Sequence, residues 1–471
     1  MIVFLCLVKI KEEAMNIIIV GCGKVGYTLV DQLSGESHSL VVIDEKPEQV
    51  RKITDTLDAM GVVGNGVSYQ TLCEAGIRTA DLLIAVTGSD EQNLLCCVLA
   101  RKNGHCQAIA RVRNPLYNPV TDFLKKEFDL AMIINPERAA ADEIFHLFRF
   151  PTAIKIDYFV NGKVELMHFR IGKNSHLKDQ RVLYIKNHLQ MNILVGPVKR
   201  GEEIHIPNGN FIFRENDVVS FIGTRKEFLC FFEKLHLLSN PVKTAILAGG
   251  GKISFYLAKL LLAAGTDTTI IEMNKERCEY LSEVLPKANV IHGDATDEWL
   301  LEQEGLGAAQ GFAALTDLDE ENILLSLHVK KKTEAKVITK VNRVNFASVI
   351  SGLELDTIMY PRVITSNYIV RYVRVMENSL HKRMSGSDVE RLYLLEDGKA
   401  EALEFVIREP SGITDVPLCA LKIKRNILIG CIYRNGEVIL PGGQDTIQVK
   451  DSVIVFVSGY KIANIREILE A

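Results

Sequence analysis

The sequence predicts an α/β protein made of two Rossmann-like, doubly wound parallel-sheet domains, each followed by a small β-rich α+β domain. Three observations lead there. An apolar run and a glycine-rich loop occur twice. Ile17-Ile18-Ile19-Val20 precedes Gly21-Cys22-Gly23-Lys24-Val25-Gly26, and Ala245-Ile246-Leu247-Ala248 precedes Gly249-Gly250-Gly251-Lys252-Ile253-Ser254, an offset of 228 (21 to 249). An acidic residue closes the next apolar run in both places, Asp44 after Leu40-Val41-Val42-Ile43 and Glu272 after Thr269-Ile270-Ile271, again 228 apart (44 to 272). Short apolar runs then alternate with amphipathic stretches of about ten residues, as expected for βαβ units around a parallel sheet. Matched landmarks at a nearly constant offset indicate a duplication.

In the first block the pattern predicts strands over 17–20, 40–43, 62–63, 82–87, 108–111 and 131–134. Helices are expected over 25–33, 49–56, 68–75 and 92–102. The second block repeats this order, with strands over 244–248, 269–271, 290–291, 312–316, 337–340 and 357–359. Thr87-Gly88-Ser89-Asp90-Glu91-Gln92-Asn93 finds its counterpart in Thr316-Asp317-Leu318-Asp319-Glu320-Glu321-Asn322, 229 positions on (87 to 316). After each block, apolar residues at helical spacing predict a connecting helix: Ile144, Leu147 and Phe148 in one, Ile369, Val370, Val373, Val375, Met376 and Leu380 in the other.

Two β-rich segments follow these helices, and they also match. Ile193-Leu194-Val195-Gly196 pairs with Ile427-Leu428-Ile429-Gly430, Pro207 with Pro441, and Asp217 with Asp451, all at an offset of 234 (193 to 427). Asn435-Gly436 between two apolar runs predicts a tight hairpin, because a type I′ turn needs positive φ at both central residues. The expected organisation is an extension over 1–14, a Rossmann-like domain over 15–150, its companion over 151–239, a second Rossmann-like domain over 240–385 and a second companion over 386–471.

Composition narrows the function classes. A net charge of −4 without a basic arm or lysine/arginine run offers no footprint for nucleic acid. Ten cysteines without a CxxC spacing read as reduced thiols of a cytosolic protein, and they suggest no metal site. The apolar opening Met1-Ile2-Val3-Phe4-Leu5-Cys6-Leu7-Val8 falls short of the roughly 18 residues a spanning helix needs, and it lacks a signal peptide's basic start. It reads as an extra segment before a fold that begins at Met15.

The glycine loops carry the chemistry. In G-x-G-x-x-G between strand and helix, glycines permit the tight turn, the approach of a pyrophosphate and close helix–strand packing, while the helix start supplies N–H donors. Gly21, Gly23 and Gly26 meet every condition, with Cys22, Lys24 and Val25 completing the loop. Asp44 is placed to accept bonds from ribose hydroxyls and to repel a 2′-phosphate, which favours NAD or an adenine nucleotide over NADP. In the second loop Gly249, Gly251, Lys252 and Ile253 keep the pattern, Ser254 replaces the third glycine, and Glu272 stands for Asp44. Asn65 within Gly64-Asn65-Gly66, and Asp294 within Gly293-Asp294-Ala295, follow the third strands, where either adenosine contact or turn chemistry explains them. Thr87 and Thr316 end the fourth strands at the same rim. Arg111 and Lys340 end the fifth, either as phosphate-facing cations or as solvated charges.

These residues, with Ala85-Val86-Thr87 and Arg111-Val112-Arg113, resemble the RCK (KTN) nucleotide-binding domain that regulates potassium conductance. The β-rich segments resemble its C-terminal companion, and the likeness covers residues 16–471. The resemblance implies NAD(H), with ATP or ADP as alternative occupants, in the glycine-loop pockets. It further implies a ring that docks on the cytoplasmic face of a membrane potassium transporter subunit. Eight Rossmann-like blocks in such a ring require a homotetramer of this chain. In related domains a glutamate just after the last strand helps hold phosphates or a divalent ion; Glu137 fits that place, while the second block carries Arg362. Cyclic dinucleotides bind the companion domain in some relatives. The alternative from another class is an NAD-dependent oxidoreductase, but the segments after the blocks are small and His146, His168, His176, His188, His205 and His236 form no paired constellation in sequence.

Overall fold

A computed structural model describes residues 15–470 except 36–37, 105, 152, 160–162, 174, 202, 236–240, 344–346, 351, 354, 386–388, 396–399, 461 and 463. The expected N-terminal segment, His236 and most of the joint before Pro241 lie outside the described residues. Two compact units are distinguished: one reaches Ala139 and includes 361–370, and the other comprises 140–360 with 371–471.

The first Rossmann-like block runs β1 (Asn16–Val20), α1 (Lys24–Ser34), β2 (Ser39–Asp44), α2 (Pro47–Thr54), β3 (Met60–Val63), α3 (Tyr69–Glu74), β4 (Leu82–Ala85), α4 (Asp90–Asn103), β5 (Gln107–Arg111), α5 (Thr121–Glu127), β6 (Met132–Ile134) and α6 (Pro136–Arg149). The parallel sheet has the order β3-β2-β1-β4-β5-β6, so the chain reverses direction across the sheet between β1 and β4. That switch point opens a crevice at the carboxyl ends of these strands, where the glycine loop lies. All ten expected strands and helices of this block are present, and the fourth strand ends two residues earlier than expected, at Ala85. The 3₁₀ turn Pro115–Val120 and α5 are additions to the expected elements: both are short and leave Leu116 and Phe123 exposed instead of burying a periodic face.

The first companion domain comprises β7 (Lys155–Phe159), β8 (Val164–Arg170), α7 (Leu183–Asn187), β9 (Leu194–Arg200), β10 (Glu203–His205), β11 (Val218–Gly223) and α8 (Arg225–Lys234). Its antiparallel sheet is ordered β10-β9-β11-β8-β7. Helix α8 starts with a capping box in which Thr224 and Glu227 satisfy each other's backbone N–H groups.

The second block repeats the first as β12 (Thr244–Ala248), α9 (Lys252–Ala263), β13 (Asp267–Glu272), α10 (Lys275–Val284), β14 (Asn289–His292), α11 (Glu298–Gln303), β15 (Gly311–Ala314), α12 (Asp319–Lys332), β16 (Lys336–Lys340), α13 (Ala347–Ile350), β17 (Thr357–Met359) and α14 (Pro361–Ser385). Its sheet order, β14-β13-β12-β15-β16-β17, is that of the first block. Ile369, Val370 and Val373 of α14 are buried as their spacing predicts, whereas the side chains of Val375 and Leu380 lie outside the described set. The second companion has β18 (Val389–Leu395), β19 (Ala400–Val406), β20 (Ile427–Arg434), β21 (Glu437–Ile439) and β22 (Ser452–Ser458), ordered β18-β19-β22-β20-β21. Asn435 and Gly436 have φ of 50° and 96°, so the β20–β21 turn is the one expected.

The two antiparallel sheets share one core, in which Phe159, Leu166 and Ile222 meet Tyr393, Leu395 and Phe456. Gly196 and Gly430 both face the Phe456 ring, and a Cβ on them would come to 3.3 and 2.4 Å from it. The matched aspartates are structural. Asp217 takes Arg200 at 2.8 and 2.7 Å, Asp451 takes Arg434 at the same distances, and each also accepts a backbone N–H at 2.7 Å. Both carboxylates are buried, so these bidentate pairs hold the same strand-to-loop corner in both copies.

One polar cluster departs from the sequence expectation about histidines. His168 places Nδ1 3.1 Å from Ser220 Oγ and Nε2 3.5 Å from Asp157 Oδ2. All three residues are buried in the sheet, and Asp157 also pairs with Lys155 and, at 3.1 Å, with Arg371 of α14. Burial pushes the Asp157 carboxyl upward, but Lys155, His168 and Arg371 outweigh it and hold the group well below the usual carboxylate range. This serine–histidine–aspartate line is sealed inside the domain and braces β7, β8, β11 and α14.

Candidate functional site

In the first block the three loop glycines have three different physical reasons. Gly21 has φ of +105°, and a Cβ there would lie 2.9 Å from the Thr87 nitrogen. A Cβ on Gly26 would meet the Gly21 carbonyl at 1.9 Å, so that position needs glycine for helix–strand contact. Gly23, at the N-cap of α1, has no atom within 4 Å of where a Cβ would stand. Open space on that side is what close approach by a ligand requires. No side chain caps the start of α1, which leaves its first N–H groups for an anion. Lys24 is exposed in that first turn, while the Val25 side chain is buried in the core, so Val25 offers only its backbone.

Asp44 is fixed beside this loop. Its Oδ2 accepts the Cys22 N–H at 2.8 Å and its Oδ1 accepts the Lys46 N–H at 3.0 Å. Each oxygen keeps a further lone pair for a hydroxyl. Burial, reinforced by Asp44, pushes the Cys22 thiol up to about 12, so this cysteine is a packing residue and no nucleophile.

The rim residues serve the fold more than the crevice. Asn93 is fully buried; its Oδ1 accepts the Thr87 N–H and Oγ1–H at 2.8 and 2.7 Å, and its amide donates to the Thr87 and Arg111 carbonyls. This clasp ties the ends of β4 and β5 to α4 and occupies the threonine hydroxyl. The Arg111 guanidinium donates to the Thr87 carbonyl, and burial, then Arg113, draws its pKa down. Asn65 Oδ1 accepts the Val67 N–H at 2.8 Å, which makes it a turn former. Glu137, buried in the first turn of α6, accepts from Arg113 Nε at 2.6 Å. Asp90, within the repeated Thr87–Asn93 motif but not among the expected site residues, accepts the Arg113 and Asn114 N–H groups at 2.9 and 2.7 Å.

The second pocket has the same plan with compensated differences. Gly249 has φ of +99°, and Gly251 faces open space as Gly23 does. Ser254, buried where Gly26 stands in the first block, donates its hydroxyl to the Gly249 carbonyl, so the substitution keeps helix and loop together. Glu272 Oε2 accepts the Gly250 N–H at 2.6 Å, and Oε1 accepts that of Asn274 at 2.8 Å. A Cβ on Gly250 would lie 3.0 Å from Glu272 Oε2 and 2.7 Å from Leu281. The longer carboxylate and the missing side chain are therefore one change, replacing the Asp44–Cys22 pair. Lys252 is exposed and the Ile253 side chain buried, as at Lys24 and Val25. Asn322 repeats the clasp on Thr316 and the Lys340 carbonyl, with bonds of 2.8 to 3.0 Å. Lys340 Nζ donates to the Leu315 carbonyl and to Asp317 at 3.3 and 3.2 Å, and Asp294 Oδ1 accepts from Thr296. Arg277, absent from the sequence expectations, donates Nε to the Gly250 carbonyl at 2.7 Å.

An open glycine, an uncapped helix start and a pinned carboxylate thus recur in both blocks. The residues fit a pyrophosphate over the loop and a ribose at the carboxylate. Among the described residues, no helix is long and apolar enough to cross a membrane.

Comparison with known proteins agrees with this construction. The TrkA-N domain family matches residues 17–136 and 245–361, the two blocks built here. The Trk system potassium uptake protein TrkA homolog 1 of Methanosarcina mazei is 33% identical over 453 residues, covering 94% of this chain and 97% of its own. Two solved structures share the fold at 16% identity. A GsuK channel bound to NAD has a TM-score of 0.63 and is aligned over 95% of this chain and 77% of its own. The GsuK RCK domain has a TM-score of 0.62, with 95% and 93% covered. With both blocks matched and nearly the whole length aligned to such a relative, the chain belongs to the TrkA family of Trk-system potassium uptake proteins.

Proposed function

We propose that this chain is the nucleotide-binding regulatory subunit of a membrane potassium-uptake transporter, gated by NAD(H), ATP or ADP in its glycine-loop pockets. The paired construction of the pockets carries the reading: each combines a helix start without a side-chain cap with a carboxylate held in place by two backbone N–H groups. The N–H groups at the start of α1 or α9 receive the phosphates, and Asp44 or Glu272 orients the ribose. Family membership supports the transport role, and the likeness to a channel bound to NAD supports NAD(H) as one occupant. A nucleotide biases the transporter only through its different affinity for the two states of the assembly.

The active form in this reading is a homotetramer, whose eight Rossmann-like blocks form a ring on the cytoplasmic face of a TrkH- or TrkG-like pore subunit. Exposed apolar side chains at corresponding places support an assembly surface on each block: Leu95 and Leu324 on α4 and α12, and Val120 and Val349 further on. A cyclic dinucleotide on the companion domains is a second ligand in this reading. The chain is a regulator and not an oxidoreductase, which agrees with rim side chains engaged by the protein itself.

Calorimetry with NADH and ATP tests the reading on the wild type, Gly23→Val, Gly251→Val and the double variant. A β-branched side chain at either glycine fills the open space with no internal clash at its Cβ. Each single variant is expected to lose one class of site and the double variant all binding. Unchanged binding in the double variant, or NADH oxidation that depends on a carbonyl substrate and on Gly23, overturns the proposal.

A further inference from the structure

The two pockets differ most at the edge where the ribose carboxylate stands. We propose that the second pocket accepts adenine dinucleotides carrying a 2′-phosphate, with Arg277 as the specificity-determining residue, while the first pocket rejects them. This rests on reading both pockets as nucleotide sites.

Three observations carry it. Arg277, in the first turn of α10, donates Nε to the Gly250 carbonyl at 2.7 Å, and its Nη2 lies 3.5 Å from the Gly251 carbonyl. Its guanidinium lies over the Tyr280 ring at 4.9 Å, so the cation is held at the loop by two independent contacts. Among the described residues no carboxylate comes within ion-pair distance of it, and both hydrogen bonds go to neutral carbonyls. A partly buried guanidinium without a counter-ion is a receptor for an anion, and phosphate matches its planar fork.

The second observation is the charge along the edge. From Asp44 to Gln49 the first pocket carries three carboxylates against one lysine. From Glu272 to Arg277 the second carries two carboxylates against a lysine and an arginine. Gln49 holds the place of Arg277 at the constant offset of 228 (49 to 277), and it brings no charge.

The third concerns Glu272, which by itself would repel a 2′-phosphate. Both of its oxygens accept backbone N–H groups, at 2.6 and 2.8 Å, as those of Asp44 do, so the two edges differ by the guanidinium at position 277 and not by how the carboxylate is held. Glu272 and Leu281 take the space that a side chain on Gly250 would need, a Cβ there lying 3.0 and 2.7 Å from them, and the Arg277 head reaches the Gly250 carbonyl at 2.7 Å. The ribose 2′ position lies at this carboxylate in Rossmann-type sites, and an arginine nearby is the usual means of accepting its phosphate.

A structural alternative is that Arg277 merely props the glycine loop. The two roles separate in the ratio of affinities, because a prop serves every nucleotide equally. The test uses the full-length chain with Gly23→Val to silence the first pocket and titrates NADPH and NADH by calorimetry. NADPH is expected to bind at least as tightly as NADH. Adding Arg277→Gln is expected to weaken NADPH about ten- to hundredfold while NADH changes by less than about threefold. The converse, Gln49→Arg with Gly251→Val, is expected to let the first pocket accept NADPH. Equal weakening of both dinucleotides by Arg277→Gln, or a preference for NADH above about tenfold with Arg277 present, overturns the proposal. If Gly23→Val abolishes all nucleotide binding while the wild type binds NADH, the proposal fails and the first pocket stands. If the wild type binds neither NADH nor NADPH, the nucleotide reading falls with it.

Discussion

Replacing Asp44 by alanine removes one carboxylate that does two jobs, and the structure lets both losses be estimated. In the free protein the carboxylate accepts the Cys22 N–H at 2.8 Å and the Lys46 N–H at 3.0 Å. Cys22 is buried, so its N–H has no ready access to water once the acceptor is gone. An unsatisfied buried donor costs about 1–3 kcal/mol, which lowers the melting temperature by several degrees. In the complex the same oxygens serve the ribose, and each hydrogen bond to a charged group contributes about 1.5–3 kcal/mol. Losing the first of these alone weakens NADH more than about tenfold, and losing both weakens it more than about a hundredfold. Asp44→Asn retains one acceptor oxygen for Cys22 but turns an N–H₂ group toward Lys46 or the ribose, so it falls between wild type and alanine. The assay is calorimetry of NADH in a Gly251→Val background, paired with thermal unfolding of the same samples. NADH affinity within about threefold of the wild type in both variants would refute the assignment of Asp44 as the ribose carboxylate.

Two further predictions concern stability. Asn93→Ala is expected to destabilise the first block by about 2–4 kcal/mol, since it strips four hydrogen bonds from a fully buried clasp; a change below about 0.5 kcal/mol in denaturant unfolding would show that the clasp is dispensable. Lys336, whose Nζ donates to the Ala153 carbonyl at 3.0 Å, has its pKa drawn from 10.5 down to about 8 by burial, with Asp356 opposing the shift. Between those values the unfolded lysine keeps its proton while the folded one has released it, so this residue makes stability rise with pH across that window. Lys336→Met is expected to abolish that rise and to raise the melting temperature at pH 7; an unchanged pH profile between wild type and variant would contradict it.

The parts of the fold readable from sequence were those written in period and repetition. Each glycine loop lies between an apolar run and a helix, so strand, turn and helix could be placed without tertiary information. The constant offsets then carried the second block. The carboxylates Asp44 and Glu272 were legible because their distance from the loop is set by one βαβ unit. Thr87 and Thr316 stand at the rim, and their hydroxyls donate to Oδ1 of Asn93 and Asn322 six residues on. The signal was present in the repeated Thr-x-x-Asp-x-x-Asn spacing, but the bond exists only when the helix start folds back over the strand end. Arg277 escaped for a related reason. Helical position alone does not reveal that its head reaches the Gly250 carbonyl. The shared core of the two antiparallel sheets was likewise invisible, since the pairing of Gly196 and Gly430 with Phe456 depends on two segments meeting across 234 residues of chain (196 to 430).

The central claim, that nucleotide in these pockets controls potassium uptake, is tested most directly by flux. The membrane partner is reconstituted in vesicles with the full-length chain, and potassium uptake is followed with and without NADH, ATP or ADP. At least one of these nucleotides is expected to change the rate severalfold. The response is expected to disappear in the Gly23→Val, Gly251→Val double variant while that variant still binds the vesicles. Uptake that depends on the chain but is identical with every nucleotide, or that responds equally in the double variant, would contradict it.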